Sequence, residues 1–360
     1  MKIFMIYGGK SAEHDISILS AHSIMTEIYY EYYEVIPVYI TRDGKWVKGP
    51  RITRAEEVLS QEDLRLGFDE EGVQSGKGTP FELSELQEKD AIAFPVLHGP
   101  NGEDGTIQGL FEVLNVPYVG AGVLASACGM DKSVSKILFQ NEGLPQVPYK
   151  KVLKNEWEVD SDTVLAACQE ELAYPLFVKP ANLGSSVGIS KAENRDQLIE
   201  AIRMAFEYDR IIVIEQGVDA REIEVAVLGN EDIHTSVPGE LVKQQGFYDY
   251  ESKYLKNEVV LQIPAKLSDD IKTQLREYAA RAFSAVQGSG LSRVDFFLTE
   301  DDEIYLNEIN TFPGFTQFSM YPRLWESTGL AYGDLIEELI QLGLQRFRDT
   351  QNYDSKDREN

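Results

Sequence analysis

Two segments near residue 300 alternate apolar and polar side chains, at 291–298 and 303–310. A two-residue period is that of a strand with one face buried. It puts Arg293 and Asp295 on one face of the first strand, and Glu308 and Asn310 on one face of the second. Paired through a turn at 299–302, the strands would present one polar face. Elsewhere, continuous apolar runs predict buried strands at 2–7, 34–40 and 91–97, and shorter strands are read at 174–179 and 211–215 and, from alternation, at 222–228. Helical periodicity predicts helices over 16–29, 194–206, 268–286 and 333–346. Another spans 131–142, with Asp131 as N-cap and Gly143 just past its end. A strand, a Gly loop, a helix and a second strand in that order indicate an open α/β sheet. Residues 41–80 read as hairpins and loops. Residues 236–259 have no clear period and read as a long mobile loop that could act as a lid. Residues 351–360 read as a frayed polar tail.

The chain's 360 residues are enough for two or three domains with substantial cores. A net charge of −26 argues against a nucleic-acid partner, which demands a basic surface. No run of about 18 apolar residues predicts a membrane span. The N-terminal residues reach Gly8 and Gly9 too soon for a signal peptide and read as a first strand. Cys128 and Cys168 make neither a disulfide framework nor a zinc spacing, so a reducing cytoplasm is expected.

Several segments carry candidate chemistry. Asp295, Glu308 and Asn310 supply hard oxygen donors suited to Mg²⁺, which takes few carboxylates and leaves room for phosphate. Lys179 ends a strand and is followed by a Gly/Ser loop to Gly188, whose backbone N–H groups could wrap phosphate oxygens. This is not a P-loop, because the G-x-x-x-x-G-K-[ST] pattern is absent. Lys132 opens a helix, where its charge and the helix N-terminus both favour phosphate. The loop after the first strand lacks a dinucleotide-binding fingerprint and instead carries Glu13 to the sheet edge, where it could hold an ammonium. His98 ends a buried strand beside glycines and is a candidate substrate contact. The turn at Pro313-Gly314 could aim the Gly314 N–H and the Ser319 hydroxyl at an oxyanion or a carboxylate.

Together these segments resemble the ATP-grasp superfamily and, within it, the D-alanine–D-alanine ligase family. The motifs that carry the resemblance lie at 8–17, 98–105, 130–132, 179–188, 248–254, 292–296 and 307–316, so it covers nearly the whole chain. It implies an α/β, three-domain ATP-grasp fold with an N-terminal open parallel-sheet domain. The expected boundaries are 1–125 for the substrate domain, 126–216 for the central lid and 217–350 for the C-terminal domain. The implied reaction joins two D-alanines through a D-alanyl phosphate, with ATP becoming ADP and phosphate, for peptidoglycan precursors. By that resemblance Lys132, Lys179, Ser186 and Lys253 would meet ATP, Glu215 and the Val218 backbone the adenine, and Glu222 the ribose. Asp295, Glu308 and Asn310 would bind two Mg²⁺ (or Mn²⁺), with Glu308 bridging. Glu13 would hold the first D-alanine ammonium and join Ser185 and Tyr254 in a hydrogen-bonded triad. Arg293 and Gly314 would stabilise the oxyanion, Lys253 and Ser319 would contact the second substrate, and His98 would lie near the substrates. A cytoplasmic homodimer is implied as well. Tyr254 favours D-alanine as second substrate over D-lactate or D-serine. Gln216 departs from the family, many of whose members carry lysine there. A non-catalytic nucleotide sensor on the same fold is the rival from another class.

Overall fold

The computed structural model describes residues 1–67, 78–184, 187–243 and 259–357. Its first sheet contains β1 (Lys2–Gly8), β2 (Glu34–Ile40), β3 (Trp46–Lys48), β4 (Thr79–Pro80) and β5 (Ala91–Val96), in the order β4-β3-β2-β1-β5. β1 lies parallel to both β2 and β5. Alternate residues of β1 feed two different cores. Ile3, Met5 and Tyr7 pack with Ile24 of α1 (His14–Glu27), whereas Phe4 and Ile6 pack with Phe111 of α2 (Thr106–Leu114). That division is the two-residue period with both faces covered, which is why the strand reads as uninterrupted apolar sequence. The C-terminal ends of β1 and β5 lie side by side, with Tyr7 opposite Val96, so the loops bearing Glu13 and His98 leave the same edge.

Helices α3 (Val123–Met130) and α4 (Lys132–Asn141) follow. Asp131 caps α4 as expected, its carboxylate accepting from the Ser133 and Val134 N–H groups. The second sheet is antiparallel and contains β6 (Tyr149–Leu153), β7 (Leu176–Pro180), β8 (Ser190–Ala192) and β9 (Ile211–Gln216), in the order β6-β9-β7-β8. After β6 come α5 (Lys154–Val159) and α6 (Ser161–Glu171), and between β8 and β9 lies α7 (Arg195–Ala205). Leu165 and Cys168 of α6 and Leu198 and Ile202 of α7 cover one face of this sheet. Cys168 is buried there and both cysteines are free thiols.

The third sheet contains β10 (Arg221–Gly229), β11 (His234–Thr235), β12 (Gly239–Lys243), β13 (Val259–Gln262), β14 (Gly290–Leu298) and β15 (Ile304–Asn310). Val225, Val227, Val294 and Phe296 pack on Leu275, Ala279 and Phe283 of α8 (Asp269–Ala285). The opposite face carries charge. Two helices close the fold, α9 (Met320–Thr328) and α10 (Tyr332–Asp357). Leu335, Ile336 and Leu339 of α10 reach back into the core beneath β1, which ties the C-terminal part of the chain to the first sheet.

Two expectations are corrected. The long loop at 236–259 is partly sheet. Gly239–Lys243 pairs with β10, with Glu222 opposite Leu241, and with β13; only 244–258 lies outside the described residues. Neighbouring strands stabilise this segment although its own sequence has weak alternation. The tail also does not fray at 351, because α10 continues to Asp357. No glycine or proline follows Gly343 to stop it, and the Gln351 amide donates to Asn115 Oδ1 at 2.6 Å.

Candidate active site

The charged face of the third sheet begins with strand register. β14 and β15 pair as expected, with Arg293 opposite Asn310 and Asp295 opposite Glu308. The ladder then slips, so that Phe296 faces Leu306 and Asn307 is left as the extra residue of a bulge. Bulges re-aim side chains beside functional sites. Here Ile304 and Leu306 enter the core before the slip and Ile309 after it, which turns Glu308 and Asn310 outward on the same side as Asp295.

Arg293 is buried and held by two carboxylates. Its Nε and Nη2 donate to Asp295 Oδ1 and Oδ2, both at 2.7 Å, and Nε lies 2.9 Å from Glu224 Oε2. Asn310 Nδ2 donates to Asp295 Oδ2 at 3.0 Å, which turns its own Oδ1 away from that carboxylate. The bidentate pairing fixes the guanidinium plane, as a lysine could not.

Lys132 donates to the Leu183 carbonyl at 2.7 Å and lies 3.7 Å from Glu308 Oε2, so it joins the Gly/Ser loop to the charged sheet. Lys179, at the end of β7, lies 3.3 Å from Asn307 Oδ1 and 2.5 Å from Glu215 Oε2. Burial by itself would raise the Glu215 carboxyl, but Lys136 and Lys179 outweigh it and hold the group down to about 2. Burial lowers the Lys179 ammonium, yet Glu215 reverses this and its net shift is upward.

At the edge of the first sheet, His98 is held between elements. Its Nε2 meets Ser20 Oγ of α1 at 3.1 Å, and its Nδ1 meets the Phe312 carbonyl at 3.3 Å. Burial pulls its pKa down, so the ring is neutral at physiological pH. Glu103 stands beside it, its Oε2 accepting the Gly99 N–H at 2.7 Å. Burial first, and Glu13 second, push the Glu103 carboxyl well above the carboxylate range. Gly99 has φ +76°, a left-handed conformation that favours glycine, and a Cβ there would come within 2.7 Å of Glu13 Oε2. Gly314 lies near Ser319, whose Oγ accepts the Thr316 N–H at 3.1 Å instead of facing open space.

A cavity of about 330 Å³ between the three sheets collects these groups. Glu13, His98 and Gly314 line one part, and Lys132, Lys179, Glu215, Val218 and Glu222 another. Arg293, Asp295, Glu308 and Asn310 lie on the sheet that connects them. Ser319 is behind Gly314 and does not line the cavity. Ser185, Ser186, Lys253 and Tyr254 lie outside the described residues. Glu103, Asn307 and Lys136 were missed from the sequence. The one local signal was for Asn307, where apolar positions 304, 306 and 309 break their own period. Gln216 lines the cavity and its Oε1 accepts the Ala173 N–H at 2.9 Å, a contact to the turn before β7 that lysine could not accept.

Among the described residues no group of three or more His, Cys, Asp or Glu gathers as a metal site, and no helix is long and apolar enough to cross a membrane. The donor set of Asp295, Glu308 and Asn310 nevertheless fits a hard divalent cation. All three offer oxygen, and two carboxylates suffice where a nucleotide supplies the other ligands.

Two family profiles match the chain, "D-ala D-ala ligase N-terminus" over residues 2–121 and "D-ala D-ala ligase C-terminus" over 138–341. A D-alanine–D-alanine ligase of Enterococcus hirae is 57% identical, covering 98% of this chain and 99% of that protein. Among solved structures, the D-alanine–D-alanine ligase of Coxiella burnetii superposes with a TM-score of 0.82 at 32% identity, over 99% of each chain. The VanG D-Ala:D-Ser ligase of Enterococcus faecalis gives the same TM-score and identity, over 95% of this chain and 99% of that one.

Proposed function

We propose a division of labour within the site from one premise: the chain belongs to the D-alanine–D-alanine ligase family, has the ATP-grasp fold, and joins two D-alanines into the dipeptide at the expense of ATP for cell-wall synthesis. The observation that carries the reading is that the Glu13 carboxylate, the fixed Arg293 guanidinium and the lysines Lys132 and Lys179 converge on one cavity.

A carboxylate is a poor acyl donor until it is phosphorylated. Lys132 and Lys179 would take the ATP phosphates, and Glu215, the Val218 backbone and Glu222 the nucleoside, since all five residues line the cavity. Asp295, Glu308 and Asn310 would hold two Mg²⁺ or Mn²⁺ ions, which when bound would neutralise phosphate charge. Glu13 would fix the first D-alanine by its ammonium, leaving its carboxylate toward Arg293. Attack by the second amine on the acyl phosphate gives a tetrahedral oxyanion, which Arg293 and the Gly314 N–H would stabilise. That amine must lose a proton from a free value near ~8, and the Arg293 cation favours the neutral form by repulsion. Because the His98 ring nitrogens are both occupied within the protein, its proposed part is to shape the D-alanine pocket and not to transfer a proton.

Ser319, held by Thr316 next to Gly314, would reach the second substrate's carboxylate only by turning its hydroxyl. The remaining assignments are proposals on residues outside the described set: Ser186 and Lys253 at ATP, Lys253 also at the second substrate, and Ser185 and Tyr254 with Glu13. The domain boundaries at 125, 216 and 350, a cytoplasmic location and a homodimer complete the reading. A second D-alanine is favoured over D-serine because relatives matching nearly the whole chain at 52–57% identity are D-alanine–D-alanine ligases. Offering D-alanine together with D-serine or D-lactate and weighing the products by mass spectrometry tests this. Mixed dipeptide or ester as the main product would displace the reading.

A further inference from the structure

Lys132 and Lys136 stand one turn apart on α4, but only Lys132 reaches the cavity. The Lys136 side chain is 1% exposed. Its Nζ lies 2.7 Å from Glu215 Oε1 and 5.0 Å from the centre of the Tyr149 ring. Tyr149 is the register partner of Glu215 across β6 and β9, so the ammonium is enclosed between two neighbouring positions of one sheet. The other Glu215 oxygen belongs to Lys179. Both oxygens of one carboxylate are thus held by lysines of different standing. Lys179 lines the cavity and has a second partner in Asn307, whereas Lys136 is behind the wall with no route to a ligand.

This asymmetry matters once a triphosphate enters. Phosphate oxygens compete for Lys179, and a carboxylate as buried as Glu215 then depends on Lys136 to stay ionised, since desolvation alone favours its neutral form. An ionised carboxylate only accepts hydrogen bonds, while a protonated one also donates. An exocyclic amine on a nucleobase is a donor and an exocyclic oxo group is an acceptor, so the charge state of Glu215 decides which base fits.

We propose that Lys136 is a positioning residue for base recognition: it fixes Glu215 as an oriented, purely accepting carboxylate, and the preference for an amino-purine over an oxo-purine triphosphate depends on it. The inference rests on the reading that Glu215 meets the adenine. A site built to hydrogen-bond one group rejects the analogue lacking it far more strongly than a loose pocket does.

The test compares ATP with inosine 5′-triphosphate, which carries oxygen in place of the amine, in the wild type, Lys136→Met, Lys136→Arg and Glu215→Gln. Dipeptide formation gives kcat and KM, and thermal unfolding checks each fold. Lys136→Met is expected to lower the ATP-to-inosine-triphosphate ratio of kcat/KM at least tenfold, mainly through KM for ATP, with partial recovery in Lys136→Arg. Glu215→Gln is expected to lower the ratio as well. A wild-type ratio in folded Lys136→Met, with the ratio lost in Glu215→Gln, overturns the inference and leaves the adenine reading standing. A wild-type ratio in Glu215→Gln overturns both. Equal losses with the two nucleotides in Lys136→Met mean a structural role only and also overturn the inference. If Lys136→Met does not fold, Lys136→Gln carries the test, since it removes the charge but keeps a donor: a fivefold or greater fall in the ratio supports the inference and an unchanged ratio overturns it.

Discussion

Lys179 Nζ lies 2.5 Å from Glu215 Oε2, although the resemblance placed one at the phosphates and the other at the base. The pairing joins the two ends of the nucleotide pocket: ATP phosphate would replace Glu215 as the ionic partner of Lys179, while Glu215 keeps Lys136 and gains a neutral donor from the base. Binding therefore exchanges ionic partners within a buried pocket and does not desolvate bare charges, which is the costlier alternative.

Glu215→Gln should weaken the fold at neutral pH. The native carboxyl is held near 2, below its ordinary value, so its contribution is present above about pH 4 and is lost as pH falls toward 2. The shift corresponds to on the order of 3 kcal/mol. Chemical denaturation from pH 3 to 8 should show a gap between wild type and variant that narrows in acid. A gap independent of pH would mean that Glu215 contributes by packing alone.

Glu103→Gln should have the opposite sign. Burial and Glu13 raise this carboxyl in the folded state, so its favourable contribution holds below the ordinary carboxylate value and is lost as pH rises through the raised one. Arg293 opposes the shift and His98 stands alongside. The variant should melt higher than wild type at pH 8 and close to it at pH 4. Equal melting temperatures across the range would remove the account of a strained carboxyl pair.

Arg293→Ala should reduce kcat ~100- to 1,000-fold, the usual effect of removing an oxyanion donor. Arg293→Lys should recover little, because one ammonium cannot reproduce two parallel bonds to Asp295 and a contact to Glu224. Steady-state dipeptide formation decides this, and wild-type turnover in Arg293→Ala would exclude the oxyanion role.

Glu308→Gln should raise the Mg²⁺ concentration for half-maximal phosphate release at least tenfold, and chelation should stop release in the wild type. A variant with unchanged Mg²⁺ dependence would remove Glu308 from the metal set.

The site was legible in the sequence where local pattern and chemistry coincide. Alternation in β14 and β15 put Arg293, Asp295, Glu308 and Asn310 on one face, and the paired strands place them so. Asp131 read as an N-cap because capping is a local matter of side chain and backbone. Lys136 and Glu103 were not legible. A lysine on an amphipathic helix and a glutamate in a Gly-rich turn look solvated, but packing against β9 buries the first and the Gly99 turn half-encloses the second. β12 was hidden for a similar reason, since its pairing with β10 and β13 is non-local. The end of α10 was misjudged because a polar composition suggested fraying, while helix propagation needs only the absence of a stop signal.

The most direct measurement is phosphate release from ATP and Mg²⁺ with D-alanine as the sole amino acid, with the product weighed by mass spectrometry. The account predicts one phosphate for each D-alanyl-D-alanine formed and none with L-alanine. Phosphate release without dipeptide, or equal release with L-alanine, would contradict it.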